Sequence, residues 1–349
     1  MSGQGNGIPK KFIADYIWVG GEKELRSKSR VITLPPTQGT LSLADIPHWN
    51  YDGSSTKQAE GSSSEVIIVP RAIYRNPFTM GNNIFVICDT YTPDMVPHET
   101  NTRAMANSIF EKNLHLEPWY GMEQEYFLIE PSTGKPVGYD EDGKQGAHYC
   151  GIGSGNVFCR SVAEEHMALC IHAGVTISGI NAEVAPGQWE FQVGPCQGIQ
   201  AGDDMLMARY LLIRLSELKN VKVDFEPKPL TGDWNGSGCH TNFSTNQMRD
   251  GNDEKTGLEY IDDAIKCLER DHTEMIAQYG EGNRDRMTGE HETADYNVFS
   301  HGIANRGASV RIGNDTYKNK KGYFEDRRPS SNCDPYVVTS LIIKSVTTE

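Results

Sequence analysis

No apolar stretch of this 349-residue sequence approaches the roughly 18–20 residues that a membrane-spanning helix needs. The opening residues M-S-G-Q-G-N-G-I-P-K-K have neither the apolar core of a secretory signal nor the Arg and Ser richness of a transit peptide. Basic charge is scarce as well. The 33 Lys and Arg against 47 Asp and Glu leave a net charge of −14, which argues against a nucleic-acid partner and a basic membrane-binding stripe. The eight cysteines are scattered, with no CxxC and no His at zinc spacing, and so read as reduced, mostly buried thiols of a cytoplasmic protein. A GxSxG nucleophile elbow and an internal repeat are both missing. What remains is an ordinary globular composition, 37% apolar and 23% charged, in a length that suits one large domain or two unequal ones.

The first hundred residues read as strands. F-I-A-D-Y-I-W-V runs into Gly20-Gly21, S-R-V-I-T-L ends at Pro35-Pro36, and S-E-V-I-I-V-P and N-I-F-V-I-C-D are each bounded by turn residues. The Pro-bearing T-P-D-M-V-P-H-E-T (92–100) suits a domain junction, followed by a helix over Asn101–Asn113. Farther on, Ser161 and Glu164 stand in capping-box spacing ahead of a helix ending at Gly174. Helical periods also cover Asp203–Lys219 and Leu258–Tyr279, and Asp334-Pro335 suits an N-cap and first helical position. Long Gly-rich loops at 138–156 and 280–307 read as functional rather than idle.

Some signals carry little. G-Y-D-E-D-G-K-Q (138–145) mimics a phosphate loop, but Gln145 replaces the hydroxyl residue that would hold magnesium. G-I-G-S-G-N (151–156) lacks dinucleotide spacing, and His166 and His172 are six apart, not three or four.

The informative feature is acid in apolar surroundings. In Y-G-M-E-Q-E-Y-F (120–127), Glu123 and Glu125 are two apart, so in a strand they share a face. Like charges at that distance repel, and burying them unpaired would cost several kcal/mol. Glu183 precedes a Pro-Gly turn, and Glu190 follows in a strand-like run where it shares a face with Gln188 and Gln192. N-G-S-G-C-H-T-N-F-S supplies His240 with Asn242 on the same side, H-E-T supplies Glu292, and Y-F-E-D-R-R-P supplies Glu325. Carboxylates with an imidazole suit magnesium or manganese, which keep open positions for phosphate oxygens. Arg286, Arg306, Arg311 and Arg327 fall in the same C-terminal region. Divalent ions with Arg forks suit phosphoryl transfer, where positioning and charge neutralisation do most of the catalysis.

Seven motifs in order resemble the glutamine synthetase family. They are W-N-Y-D-G-S-S, G-M-E-Q-E-Y, N-A-E-V-A-P-G-Q-W-E-F-Q, K-P-L-T-G-D-W-N-G-S-G-C-H-T-N-F-S, H-E-T, A-N-R-G-A-S-V-R-I and Y-F-E-D-R-R-P-S-S-N-C-D-P-Y. The compact length resembles the eukaryotic type. The resemblance implies an α+β fold: a small N-terminal β-grasp-like domain (1–96) and a larger catalytic domain (97–349) with a curved antiparallel sheet and flanking helices. It implies ATP-dependent ligation of ammonia to L-glutamate through a γ-glutamyl phosphate, with two to three Mg2+ or Mn2+ ions per site. A homo-oligomer is implied too, a decamer of two stacked pentameric rings with sites between neighbouring subunits.

Carried over by motif, Glu125, Glu183 and Glu190 would hold one ion and Glu123, His240 and Glu325 the other. ATP would meet Trp119, Glu123, the run Glu190, Phe191, Gln192, Val193, Gly194 and Pro195, then Asn242, Phe243 and Ser244, with Arg306, Arg311, Tyr323, Phe324 and Glu325. Glutamate would rest on Asn235, Gly236, Arg286, Arg306 and Arg327. Asp52 and Ser55 would serve ammonium, with Asp52 taking its proton, and Glu292 would be the flap residue that closes over the intermediate. Asp52, Glu292 and Arg327 are the residues this assigns to catalysis. Gly307 stands where the family often has a small hydroxyl residue, and Glu290 adds an acid beside His291. Two other readings share these motifs: a ligase joining glutamate to a larger amine, and a non-catalytic relative.

Overall fold

The structure is a computed structural model that describes residues 10–34, 41–79, 81–141 and 145–348. Pro35-Pro36, the first nine residues and positions 142–144 of the phosphate-loop mimic lie outside the described residues. The chain divides into two compact units. One comprises Met1–Ala104 with His172–Val175, the other Met105–Ile171 with Thr176–Glu349.

The first unit holds a five-stranded sheet of β1 (Lys10–Val19), β2 (Leu25–Leu34), β3 (Trp49–Asp52), β4 (Glu65–Arg75) and β5 (Ile84–Tyr91). Its order is β2-β1-β5-β4-β3, with β1 and β5 parallel at the centre and the remaining pairs antiparallel, the β-grasp-like arrangement expected. Alternation along β1 turns Phe12, Ala14, Tyr16 and Trp18 into a core with Ile32, Ile68, Ile84 and Val86. β4 runs on through Pro70, where the pairing with β5 shifts register and the missing N–H is tolerated. β3 ends at Asp52, whose side chain accepts the Ser54 N–H as the chain turns.

The second unit takes most of α1 (Thr102–Asn113), then β6 (Trp119–Glu130), β7 (Lys135–Pro136), most of α2 (Arg160–Ala173), β8 (Ile177–Ala182), β9 (Gln188–Gln197) and α3 (Gln200–Lys219). Next come β10 (Lys222–Asp224), β11 (Cys239–Ser244), α4 (Asn246–Asp250), α5 (Gly257–Arg270), α6 (His272–Ile276) and α7 (Asn283–Arg286). The unit closes with β12 (His301–Ile303), β13 (Val310–Ile312), α8 (Asn314–Asn319), β14 (Phe324–Asp326) and α9 (Pro335–Thr347). A curled nine-stranded sheet runs β12-β13-β14-β11-β6-β9-β8, with β7 and β10 also pairing β6. Its pairs are antiparallel except β12 with β13.

Helix boundaries follow side-chain chemistry. Asn101 accepts the Ala104 N–H at 3.0 Å and starts α1, and Asp334 accepts from Tyr336 and Val337 ahead of Pro335 at the start of α9. α2 begins one residue before Ser161, which therefore lies inside the helix rather than capping it; Gly174, at φ +95°, ends it as expected. α3 starts at Gln200, ahead of its acids. The single helix expected over Leu258–Tyr279 is broken at Asp271, whose carboxylate takes Arg270 Nε at 2.8 Å and Ser345 Oγ at 2.7 Å. The apolar period runs across that break because Met275 and Ile276 stay buried beyond it. The 280–307 loop contains α7 and β12, whereas 145–156 has neither helix nor strand.

Candidate active site

Strand pairing gathers acids that are far apart in sequence. β6 presents Glu123 and Glu125 on one face, between β11 and β9. His240 pairs opposite Glu123, and Glu190 opposite Glu125. One strand farther, Glu325 of β14 lies opposite Asn242 of β11, and Arg311 of β13 lies opposite Glu325. Glu183 follows the end of β8, beside β9. The result is two triads, Glu123 with His240 and Glu325, and Glu125 with Glu183 and Glu190. In each, one ligand atom per residue lies within 4.8 Å of the others.

The acids of the second triad are enclosed without enough positive charge. Burial pushes the Glu125 carboxyl up to about 7, against the lowering pull of the Gly238 N–H and of Arg286 and Arg327. Burial and then the Glu125 charge raise Glu183 to about 8; burial and then Glu123, Glu125 and Glu183 raise Glu190 to about 9. Burial, with the Arg327 cation, holds His240 well below the usual imidazole range, in the neutral form that can donate a lone pair. Polar neighbours orient the acids. Asn242 Nδ2 donates to Glu123 Oε1 at 2.8 Å, Asn181 Nδ2 to Glu183 Oε1 at 2.8 Å, and the Gly238 N–H to Glu125 Oε2 at 2.5 Å. Glu325 Oε2 is a buried oxygen without a hydrogen-bond partner, although Arg311 Nε stands 2.5 Å away. Crowded carboxylates, a neutral imidazole and a spare carboxylate lone pair fit hard divalent cations.

All six of these residues line one cavity of about 410 Å³. Asn235, Gly236, Arg286, Glu292, Arg306, Arg311 and Arg327 line it too. Arg286 is anchored by Asn283 Oδ1 at 3.0 Å and by the Arg328 carbonyl at 2.8 Å. A Cβ on Gly236 would overlap the Pro227 carbonyl and the Arg286 side chain, so only glycine admits this close approach. Arg327 Nη1 meets Glu325 Oε1 at 2.7 Å, and its Nη2 donates to the Glu292 carbonyl at 3.2 Å.

A second cavity of about 820 Å³ adjoins the first, with Glu123 lining both. Trp119, Gln192, Val193, Gly194, Pro195, Asn242, Phe243, Ser244 and Tyr323 line it. Trp119 and Tyr323 are 40% and 52% exposed, which leaves aromatic surface available for stacking. Arg249 backs the Trp119 ring at 4.0 Å.

Four expected site residues line neither cavity. Phe191 and Phe324 alternate with Glu190 and Glu325, so they face the other side of the sheet and are fully buried, beside His166 and Phe243 respectively. Asp52 and Ser55 lie in the first unit. There Asp52 accepts from the Ser54 N–H at 3.0 Å, Ser54 Oγ at 2.7 Å and Ser55 Oγ at 2.9 Å, and these serine donors hold its exposed carboxyl down at about 2.

Known proteins resemble this chain in sequence. The protein-family model described as glutamine synthetase, catalytic domain, covers residues 99–348. The chain belongs to the glutamine synthetase family. It is 55% identical over 342 residues to the glutamine synthetase nodule isozyme of Medicago sativa, covering 96% of this chain and 94% of that protein. To glutamine synthetase cytosolic isozyme 2 of Vitis vinifera it is 54% identical over 344 residues, 97% and 94% of the two chains. A putative glutamine synthetase of Acanthamoeba polyphaga mimivirus is 53% identical over 335 residues, 96% and 94%. As in the plant relatives, the likeness is to the eukaryotic type.

Sequence reasoning did not single out several lining residues of this glutamine synthetase chain: Tyr149, Asn181, His291 and Thr293 in the first cavity, and Ser178, Arg249, Asn319 and Lys321 in the second. The nearest signals were adjacency of His291 to Glu292 and the position of Tyr149 in the long Gly-rich loop.

Proposed function

We infer that this chain is a glutamate–ammonia ligase that makes L-glutamine, ADP and phosphate from L-glutamate, ammonium and ATP through a γ-glutamyl phosphate, a step of nitrogen assimilation. The observation that carries this is the pair of acidic triads in a cavity lined by four arginines, with Glu123 shared with an aromatic-rimmed neighbour. Family membership supports the reading.

In this mechanism ATP occupies the larger cavity, its base against Trp119 and Tyr323 and its phosphates directed past Asn242 and Glu123. Glutamate lies in the smaller one on Asn235, Gly236 and Arg286, its γ-carboxylate towards Arg327. Two to three magnesium or manganese ions, held by the triads, would neutralise clustered carboxylates and stabilise charge on the transferring phosphoryl group. Arg306, Arg311 and Arg327 supply permanent positive charge beside that group. Glu292 closes over the acyl phosphate and excludes water. Asp52 and Ser55, from a neighbouring subunit, serve ammonium with Glu292 and Glu183. With its carboxyl held at about 2, Asp52 is a weak base, so its first contribution is charge that attracts the cation and its second is accepting the proton. The domain boundary falls at 96/97, within the Pro-bearing 92–100 segment. Two stacked pentameric rings and a cytoplasmic location complete the reading. The decamer corresponds to ten times the 38.8 kDa chain mass in light scattering.

Purified protein given ATP, glutamate, ammonium and magnesium should form glutamine and phosphate in equal amounts. No glutamine would overturn the reading, and faster phosphate release with methylamine or a polyamine than with ammonium would favour the larger-amine ligase. Trp119→Ala should raise KM for ATP by about five- to 150-fold with a smaller change in kcat, because stacking of a base is worth about 1–3 kcal/mol. An unchanged KM would remove Trp119 from the nucleotide site.

A further inference from the structure

His291 and Glu292 are consecutive non-glycine residues in the left-handed region, at φ +52° and +61°. Side-chain-bearing residues persist there when their surroundings hold them. Arg327 Nη2 donates to the Glu292 carbonyl at 3.2 Å, Arg306 Nη1 stands 3.9 Å from Glu292 Oε2, and Thr293 Oγ1 donates to the Glu290 carbonyl at 2.7 Å. From His291 a contact leads elsewhere. Its Nε2 lies 2.9 Å from Asp233 Oδ1, in the loop that carries Asn235 and Gly236. Gln145 clamps that loop, donating to the Asp233 carbonyl at 3.0 Å and accepting from the Asn235 N–H at 2.5 Å. His291, Glu292, Asn235 and Gly236 all line the acidic cavity.

We propose that His291 and Asp233 are positioning residues that latch the Glu292 segment to the Asn235 loop, so that glutamate seated on that loop keeps the segment closed over the acidic cavity. This rests on the ligase reading above. An exposed polar contact of this kind stabilises a fold very little; this one, 2.9 Å between His291 Nε2 and Asp233 Oδ1, matters by its place, as the strut between two loops that must close on one substrate. With the latch undone, water reaches the acyl phosphate. It adds to the γ-carbonyl carbon, loses its proton to solvent, and the bond to phosphate breaks. Glutamate and inorganic phosphate return, and ATP is consumed with no glutamine formed.

The test uses the full chain and the variants Asp233→Asn, His291→Gln, their combination, and Asp233→Glu. The Asp233 side chain is 94% exposed, so the Asp233 changes leave the fold intact, and they carry the test if His291→Gln, at a side chain 23% exposed, disturbs its own loop. Phosphate released per glutamine formed should rise from one to about three or more in either single variant. The double variant should be no worse than the worse single, and Asp233→Glu, which keeps the charge, should recover part of the loss. In the substrate-free protein, Asp233→Asn should speed amide hydrogen exchange over 288–296 several-fold and leave α5 unchanged. A stoichiometry that stays at one with unaltered exchange overturns the latch. The exchange comparison needs no substrate, so it decides the latch even if the wild-type protein makes no glutamine, an outcome that would sink the ligase reading alone.

Discussion

Glu125→Gln is expected to abolish glutamine formation while making the metal-free protein more resistant to heat at pH 8. The substitution keeps the shape of the side chain but removes one anionic oxygen pair from a triad of buried acids. For catalysis the loss is large, since an ion held by three carboxylates loses a third of their negative charge along with a donor. For metal-free stability the sign reverses. Burial lifts Glu125, Glu183 and Glu190 from 4.5 to about 7, 8 and 9, with repulsion from neighbouring glutamates as the next cause for Glu183 and Glu190. Each folded-state value lies above the unfolded one, so the native state binds more protons. Stability is fully present below the unfolded value and is lost as pH climbs from about 4.5 towards 9. The advantage of the variant over wild type should therefore widen with pH when both are melted in chelator. Added manganese should reverse the order, and its affinity for wild type should increase by up to about tenfold per pH unit for each proton displaced. Calorimetry from pH 5 to 9, with chelator and with manganese, checks both halves. Near-normal turnover of the variant at saturating magnesium, or a melting difference indifferent to pH, would refute the assignment.

The second large effect lies on the opposite face of β14 and in the residues after it. Asp326 and Arg328 are completely buried and paired, Nη2 to Oδ2 at 2.7 Å and Nε to Oδ1 at 2.8 Å. Tyr279 donates its hydroxyl to Asp326 at 3.0 Å, and the Arg328 guanidinium lies 5.2 Å from the Tyr279 ring and 5.3 Å from that of Phe299. Arg328→Met leaves a buried carboxylate without its cation and should cost about 3–5 kcal/mol, roughly a fifth or more of the stability of an ordinary domain. Adding Asp326→Leu should recover much of that, because two apolar groups then face each other. Urea unfolding reads both. A single variant with the wild-type midpoint would show that the pair does not hold this region. Activity should fall with stability, since Glu325 and Arg327 alternate with this pair and face the cavity.

How much of this could be read beforehand follows from what periodicity carries. Period two put Glu123 beside Glu125, set Glu190 with Gln188 and Gln192, and turned Phe191 away from them; the strands have that geometry. Neighbour relations between strands are not periodic. That β6 lies between β9 and β11, bringing His240 to Glu123 and Glu190 to Glu125, became available only through the order of motifs that the family shares. Phe191 and Phe324 entered the expected nucleotide site because motifs carry whole runs, whereas a strand offers a cavity only alternate side chains. Asp271 split a helix whose apolar spacing continues across it, since the bonds to Arg270 and Ser345 leave no trace in hydrophobic pattern. Arg249, Tyr149 and His291 stand singly in loops or a short helix, where chemistry depends on what folds back against them.

Glu123 is, among the described residues, the partition between the two chambers. With ATP and glutamate seated as proposed, both ligands polarise the same carboxylate, which couples the two chambers through space. Thermodynamic reciprocity then requires that any tightening of amino-acid binding by nucleotide be returned in equal measure. On that seating, an inhibitor built for one chamber should have an affinity that depends on what fills its neighbour.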